Sequence, residues 1–370
     1  MAELSIISLA GFTLPETSGL ARQHVRPPAR RNAHYLERYD RSTLFYDCVY
    51  QSDRAGYLLT APRFLNLWPQ VKTGLRRGGE RLRLRRIRSG KYEQLWIPGP
   101  AEPLSLTLNG TDYPLTARPD LSQSFAGLNC AVTMNKDNDP AWIRDWARYH
   151  IKTHGLEAVL IFDNGSTAYG LDQLGEALAD LPGLRRVVLA SAPYPYGPRD
   201  SGKGFEVRPK FLQPAMLNLA RCDLLRRARV VLNVDIDELV LKRGADTVFD
   251  ACAKTRLKAL HLPGQWAYPE AMEQGPAGHA AHIWRVSGKA SNPKWAGIPG
   301  QGLSHFGWFV HHLGGELFRL LPKRHDLEFV HCRGTSTGWK GTRFQQPGEM
   351  TRDPELVALM AESFSPGEAE

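Results

Sequence analysis

No cysteine pair in this chain has the C-x-x-C spacing of a zinc or redox motif. Its five cysteines, Cys48, Cys130, Cys222, Cys252 and Cys332, are scattered and odd in number. A zinc module and a disulfide framework are both disfavoured, and a reducing, cytoplasmic compartment is expected. Long apolar runs are missing too. The longest, such as VVLNV and AVLIF, are strand-sized and fall far short of the ~20 residues that span a bilayer. Glu3 stands where a secretory signal would carry basic residues, so no such signal is expected. Internal repeats and low-complexity tracts are absent.

What the chain does have is the composition of a globular protein, 42% hydrophobic and 23% charged, over 370 residues. That length allows one large domain or two ordinary ones. Lys and Arg number 47 against 38 Asp and Glu, a surplus of nine. Such an excess favours polyanionic partners: nucleic acid, an anionic membrane face or phosphorylated substrates. Much of it lies in RLRLRRIR, Arg81 to Arg88. Its imperfect alternation predicts a strand with one wet basic face, either a binding surface or an edge protected by charge.

Residues 1–122 read as rich in strands and turns. LSLTLNGTDYPLTARP predicts a hairpin about Asn109-Gly110. From Leu128 strands alternate with helices. LNCAVTMN is a strand, and DPAWIRDWARYHIKTHG is a helix capped by Asp139 and stopped by Gly155. Trp142, Trp146 and Tyr149 share one face of that helix, as core residues do. The alternation predicts an α/β fold with a mostly parallel sheet and helices on both faces. Ligands of such sheets bind outside the carboxyl ends of the strands, and two ends are acidic: LIFDNGS, with Asp163, and VVLNVDIDE, with Asp235, Asp237 and Glu238.

Asp235 and Asp237 are two apart, so on a continuing strand they face one side. Two carboxylates so close repel each other unless a cation sits with them. A hard divalent ion, Mn²⁺ or Mg²⁺, is the simple solution; an acidic turn or cap at a strand end is the ordinary alternative. Asp163 could accept hydrogen bonds from a nucleoside, or could close an Asx-turn between strand and helix. Lys210, at a helix start, is a candidate phosphate partner or an exposed lysine. Trp308 and Trp339 could stack on a sugar or fill the core.

AWIRDWARYHIKTHGLEAVLIFDNGST, followed 72 residues after Asp163 by VVLNVDIDELV, resembles bacterial glycosyltransferases of the family-2/family-92-like group. Their pattern runs EW..YH...G......DN.S with a later D.DEF. The match is specific from about Leu128 to Leu241, thins towards Arg343, and leaves the first 120 residues uncovered. The resemblance implies a GT-A, Rossmann-like fold over 123–345; the residues themselves read as an N-terminal β-rich accessory region over 1–122 and a helix with a frayed tail over 346–370. It implies a nucleoside-diphosphate-sugar donor and Mn²⁺ or Mg²⁺. Carried over by position, Asp163 with Asn164 meets the nucleoside, and Asp235 and Asp237 form the metal and sugar-nucleotide motif. Asp237 is the more direct ligand, with Glu238 beside it. His150 matches the family's YH, while Asp145 and Lys136 stand where glutamates are usual.

His305, His311, His312, His325 and His331 fall within 27 residues. By the same resemblance a C-terminal histidine supplies a third metal ligand, with His331 first and His311 or His312 second. An inverting transferase also needs a carboxylate base; Glu316 occupies a position resembling that of the base in related enzymes, and Asp326 and Glu328 are its rivals. The expected acceptor is a glycan or glycolipid in surface-polysaccharide synthesis, with the basic surface in peripheral contact with an anionic inner-membrane face. Two other classes compete. A basic nucleic-acid-binding protein leaves the paired carboxylates unexplained. A sugar-phosphate nucleotidyltransferase needs a Gly-rich phosphate loop, which LNCAVTMNKDND lacks.

Overall fold

Runs of Val, Ile and Leu with no polar interruption have to be covered on both faces, and Ala158–Asp163 is buried at every position. The computed structural model describes residues 1–198, 209–335, 344 and 347–364. The chain falls into two units. The first holds Met1–Ile7, Ser124–Ala190 and Arg227–Glu370; the second holds Ser8–Gln123 and Ser191–Arg226. Both are therefore discontinuous in sequence, unlike the expected division at 122/123.

The first unit is built on a nine-stranded sheet. In chain order its strands are β1 (Glu3–Ser8), β2 (Asn129–Asn135), β3 (Ala158–Asp163), β4 (Arg186–Ser191), β5 (Val230–Asn233), β6 (Glu238–Val240), β7 (Ala259–Ala267), β8 (Ala290–Gly297) and β9 (Phe329–Cys332). The spatial order is β1-β4-β3-β2-β5-β8-β7-β9-β6. Strands β3, β2 and β5 run parallel, as expected. Beyond β5 the sheet is mixed: β8 is antiparallel to β5 and β7, β9 is parallel to β7, and β6 is antiparallel to β9.

Helix α1 (Pro140–His154) has the expected caps: the Asp139 side chain accepts from Ala141 N, and Gly155 turns out of the helix at φ 70°. Ile143, Trp146 and Tyr149 bury its inner face in the core with Val159, Ile161 and Leu232, while Trp142 is half-buried. Helices α2 (Leu171–Ala179), α3 (Val248–Lys254) and α4 (Pro354–Phe364) complete the unit. Among the described residues no helix is long and apolar enough to cross a membrane.

The second unit holds three smaller sheets, of five, four and two strands. The expected hairpin is present: Leu108 pairs with Thr111, and Asn109 and Gly110 take the positive φ that its two-residue turn requires. The arginine-rich segment differs from expectation. It breaks at residues 82–84 into two short strands, Glu80–Arg81 and the edge strand Arg85–Arg88. Leu82 and Leu84 pack on the core, and that pull interrupts the ladder. Arg86 folds back onto Glu93 and lies 3.8 Å over Trp68, while Arg81, Arg83, Arg85 and Arg88 stay exposed.

Candidate functional site

Strand β5 stops at Asn233, so the acidic residues are not on a continuing strand. They form a turn closed by a hydrogen bond from Glu238 N to Asp235 O (3.0 Å), after which β6 begins. Ile236 between them is buried, and anchoring it folds the backbone. The expected common face for Asp235 and Asp237 is thereby lost: the Asp235 carboxylate meets Lys294 Nζ at 2.7 Å, whereas Asp237 Oδ2 lies 3.3 Å from His331 Nε2.

His331 arrives from β9, directly opposite Glu238 in the β6–β9 ladder. Its Nδ1 is 3.4 Å from Glu238 Oε1 and 3.2 Å from Ser291 Oγ, and Trp266 packs on its ring at 3.9 Å. Asp237, Glu238 and His331 each offer a ligand atom, and these atoms all lie within 4.8 Å of one another. All three residues are buried, and so is Lys294 from β8, whose Nζ also reaches Glu238 Oε2 at 3.1 Å. The Lys294 ammonium thus meets two carboxylates, Asp235 and Glu238. Burial pushes the Glu238 carboxyl up to about 7, although Lys294 pulls it the other way. Burial alone would depress Lys294, but Asp235 and Glu238 outweigh it and hold the ammonium above its ordinary range. His331 Nε2 is buried and has no hydrogen-bond partner. An imidazole nitrogen that makes no hydrogen bond, 3.3 Å from one carboxylate oxygen in a buried group of N and O donors, fits a divalent cation.

Four buried histidines hold the backbone around this turn. His279 Nε2 reaches Ile236 O at 2.8 Å and His282 Nε2 reaches Arg333 O at 3.0 Å. From α1, His150 accepts from Val240 N at 3.4 Å while its Nδ1 donates to Trp146 O at 2.8 Å. One turn on, His154 donates from Nε2 to Val240 O (2.8 Å) and accepts from Val248 N (3.1 Å). Both imidazoles are fixed neutral, and burial lowers their pKa to about 3 and about 4.

Asp163 lies on the same carboxyl edge of the sheet, since β2 pairs Asn135 with Asp163 on one side and Val132 with Asn233 on the other. Its carboxylate accepts from Asn135 Nδ2 (2.8 Å), Ser166 N (2.8 Å) and Ser166 Oγ (2.5 Å). This is the Asx-turn, with Gly165 at φ 72° making the bend. Asn164 is buried. Lys136 reaches the carbonyls of Asn164 and Gly165 at 3.3 Å, so it braces the loop where the resemblance has a glutamate. Asp145 pairs with Arg148 at 2.9 Å on the outer side of α1.

The other expected residues lie elsewhere. Glu316 is exposed in a short helical turn and pairs with Arg319 at 3.1 Å. Asp326 is held by Arg324 at 2.6 Å, and its carboxyl is lowered by that hydrogen bond. It lies in the helical turn His325–Leu327, past the end of the β6–β9 ladder, where its carbonyl accepts from Arg243 N at 3.0 Å. Glu328 is buried against Arg243 (2.6 Å) and Gln265 (2.9 Å). His305, His311 and His325 are exposed and His312 is half-buried. Trp308 is wholly buried beside Trp295. Lys210 belongs to the second unit and is half-buried ahead of the helix Leu212–Cys222. Trp339 lies outside the described residues.

Lys294 and His279 escaped the sequence reading. The one available signal for Lys294 was a lysine inside a short strand beside Trp295 and Ala296, because a buried lysine needs an anionic partner.

Neither the family models nor the curated proteins match the chain. Among solved structures it is similar to the crystal structure of GalNAc-T7 with UDP, GalNAc and Mn²⁺, at 13% identity over 64% of this chain and 48% of that one, TM-score 0.35. It is also similar to the mannosyltransferase Ktr4p from S. cerevisiae, at 11% identity over 41% and 43%, TM-score 0.24. A third is the galactosyltransferase LgtC in complex with donor and acceptor sugar analogs, at 14% identity over 65% and 98%, TM-score 0.27. The chain spans about half the length of the first two or less. These TM-scores are low, and the functional reading rests on the chain's own residues.

Proposed function

We propose that the chain is a divalent-cation-dependent glycosyltransferase of GT-A type that moves a sugar from a nucleoside-diphosphate donor to a glycan or glycolipid acceptor. The observation that carries this is the buried Asp237–Glu238–His331 group, whose ligand atoms lie within 4.8 Å of one another, with a His331 Nε2 that has no hydrogen-bond partner among the described residues. Carboxylate and imidazole donors suit Mn²⁺ or Mg²⁺. Such an ion would supply Lewis-acid stabilisation of the negative charge that develops on a departing diphosphate.

Asp237, Glu238 and His331 would hold the ion, and Asp235, half-buried, faces the donor side. Asp163 shapes the neighbouring loop, so that the donor's nucleoside meets Asn164 and the loop backbone. For the acceptor base we favour Glu316: its exposed pair with Arg319 is weak enough to be given up. Asp326 is less suited, because its hydrogen bond from Arg324 lowers its carboxyl and so weakens it as a proton acceptor. The exposed arginines of the second unit support a peripheral role at an anionic membrane face in surface-polysaccharide synthesis. The nucleic-acid alternative accounts for none of the buried cluster.

The test is calorimetric titration with UDP, GDP and CDP, with and without Mn²⁺, on wild type and Asp237→Ala. Binding of one nucleotide only in the presence of Mn²⁺, and its loss in the variant, is the expected result. Mn²⁺-independent binding, or none to any nucleotide, sinks the reading.

A further inference from the structure

Lys294 is fully buried, and its ammonium is spent on two of the three carboxylates of the acidic turn: Asp235 Oδ2 at 2.7 Å and Glu238 Oε2 at 3.1 Å. Glu238 is split by this contact. Its Oε2 takes Lys294 and the Asp235 N–H (2.8 Å), while Oε1 faces His331. The compact ligand group contains Asp237, Glu238 and His331 and leaves Asp235 out. A buried ammonium is costly to desolvate, and an exposed Ser or Asn turn would have left the strand end uncharged. The geometry needs a reason for keeping the lysine.

We propose that Lys294 is a positioning residue that withholds Asp235, and one oxygen of Glu238, from the metal. It acts as a resident cation that competes for the ligands of the acidic turn. The site then takes one divalent ion on three protein ligands, binds it weakly by itself and holds it firmly only together with a diphosphate. This rests on the metal reading above. A protein that receives its cation with a substrate and releases it with a product needs such an exchangeable site, and a site with all three carboxylates free would retain the ion.

Mn²⁺ binding, read by the electron paramagnetic resonance signal of free Mn²⁺ without nucleotide, tests this on wild type, Lys294→Met, Asp235→Asn and the double variant. Lys294→Met is expected to bind Mn²⁺ at least about tenfold tighter, because it removes a nearby positive charge and frees Asp235 as a ligand. Most of that gain should vanish in the Asp235→Asn background. Asp235→Asn alone should weaken binding far less than Asp237→Ala does. A lysine with a merely structural role predicts the opposite sign, since loosening the turn weakens the site. If Lys294→Met does not fold, the double variant is compared with Asp235→Asn: tighter Mn²⁺ binding by the double variant, which frees Glu238 Oε2 from the ammonium, is the expected result, and equal or weaker binding overturns the proposal.

Unchanged or weaker Mn²⁺ binding by folded Lys294→Met overturns the proposal while leaving the metal reading standing. So does an Asp235→Asn variant as defective as Asp237→Ala. Absence of Mn²⁺ binding by both wild type and Lys294→Met overturns the two together.

Discussion

At Asp163 three donors, two from Ser166 and one from Asn135, converge on one carboxylate, and the Asn135 amide also reaches Tyr169 Oη at 2.8 Å. Asp163→Ala leaves these donors without an acceptor in a buried turn. It is expected to lower the free energy of unfolding by about 1–3 kcal/mol, seen as a lower urea midpoint at unchanged slope. A midpoint equal to wild type would mean that the loop is held by other contacts. The sequence D-N-G-S carried both this reading and a nucleoside contact, and the positions of Asn135 and Ser166 bring out the turn. Asp235 and Asp237 teach the converse. Their spacing was legible and so was their need for a cation. The partner was not, because Lys294 lies 59 residues away from Asp235 on a strand whose pairing no local pattern announces. Nor does spacing reveal that burying Ile236 converts the strand end into a turn.

Helix α1 was legible from Asp139 to Gly155 because caps and apolar period are local signals. The work of its two inner histidines was not, since Val240 is 90 residues from His150 and 86 from His154. Both tether β6, the strand that carries Glu238. Each imidazole donates through one nitrogen and accepts a backbone N–H at the other, so protonation forfeits a hydrogen bond as well as burying a charge. The sign follows from the lowered values. An unfolded histidine takes up its proton below about 6.5, whereas His150 and His154 resist until about 3 and about 4. Their contribution to stability is complete above 6.5 and is lost as pH falls towards 4, at about 1.4 kcal/mol per pH unit for each group. Glu238, raised to about 7, acts in the opposite sense over part of this window. The informative quantity is therefore a difference. His154→Gln, whose amide does not titrate, should reduce the slope of unfolding free energy against pH between 6.5 and 4.5 by about one such increment. It should do so even while costing stability at neutral pH. Parallel slopes for the two proteins would show that His154 is protonated in the folded state.

On the scale of the whole molecule, a division read along the sequence misses what distant segments complete. The second unit takes residues 191–226 as well as 8–123, and polar pairs far apart in sequence join its two segments. Arg118 lies between Asp47 (2.7 Å) and Asp223, all three buried. Gln51 Nε2 reaches Cys222 O at 2.9 Å and Asp223 Oδ1 at 3.1 Å, and Tyr194 Oη donates to Tyr46 O at 2.8 Å. Composition could report the abundance of arginine and suggest a polyanionic partner; it could not show that this arginine is consumed inside the fold. Burial raises the Asp223 carboxyl and Arg118 opposes that shift, so the guanidinium is what makes two buried carboxylates tolerable. Arg118→Met keeps apolar volume and removes the charge. It is expected to destabilise the second unit by about 3–5 kcal/mol, as breaking a buried ion network does, measured by urea unfolding. Adding Asp47→Asn and Asp223→Asn to Arg118→Met removes the uncompensated charges and should recover a substantial part of the loss. If the triple variant is no more stable than Arg118→Met alone, the arginine acts through packing and hydrogen bonding, and charge balance is not what closes this unit.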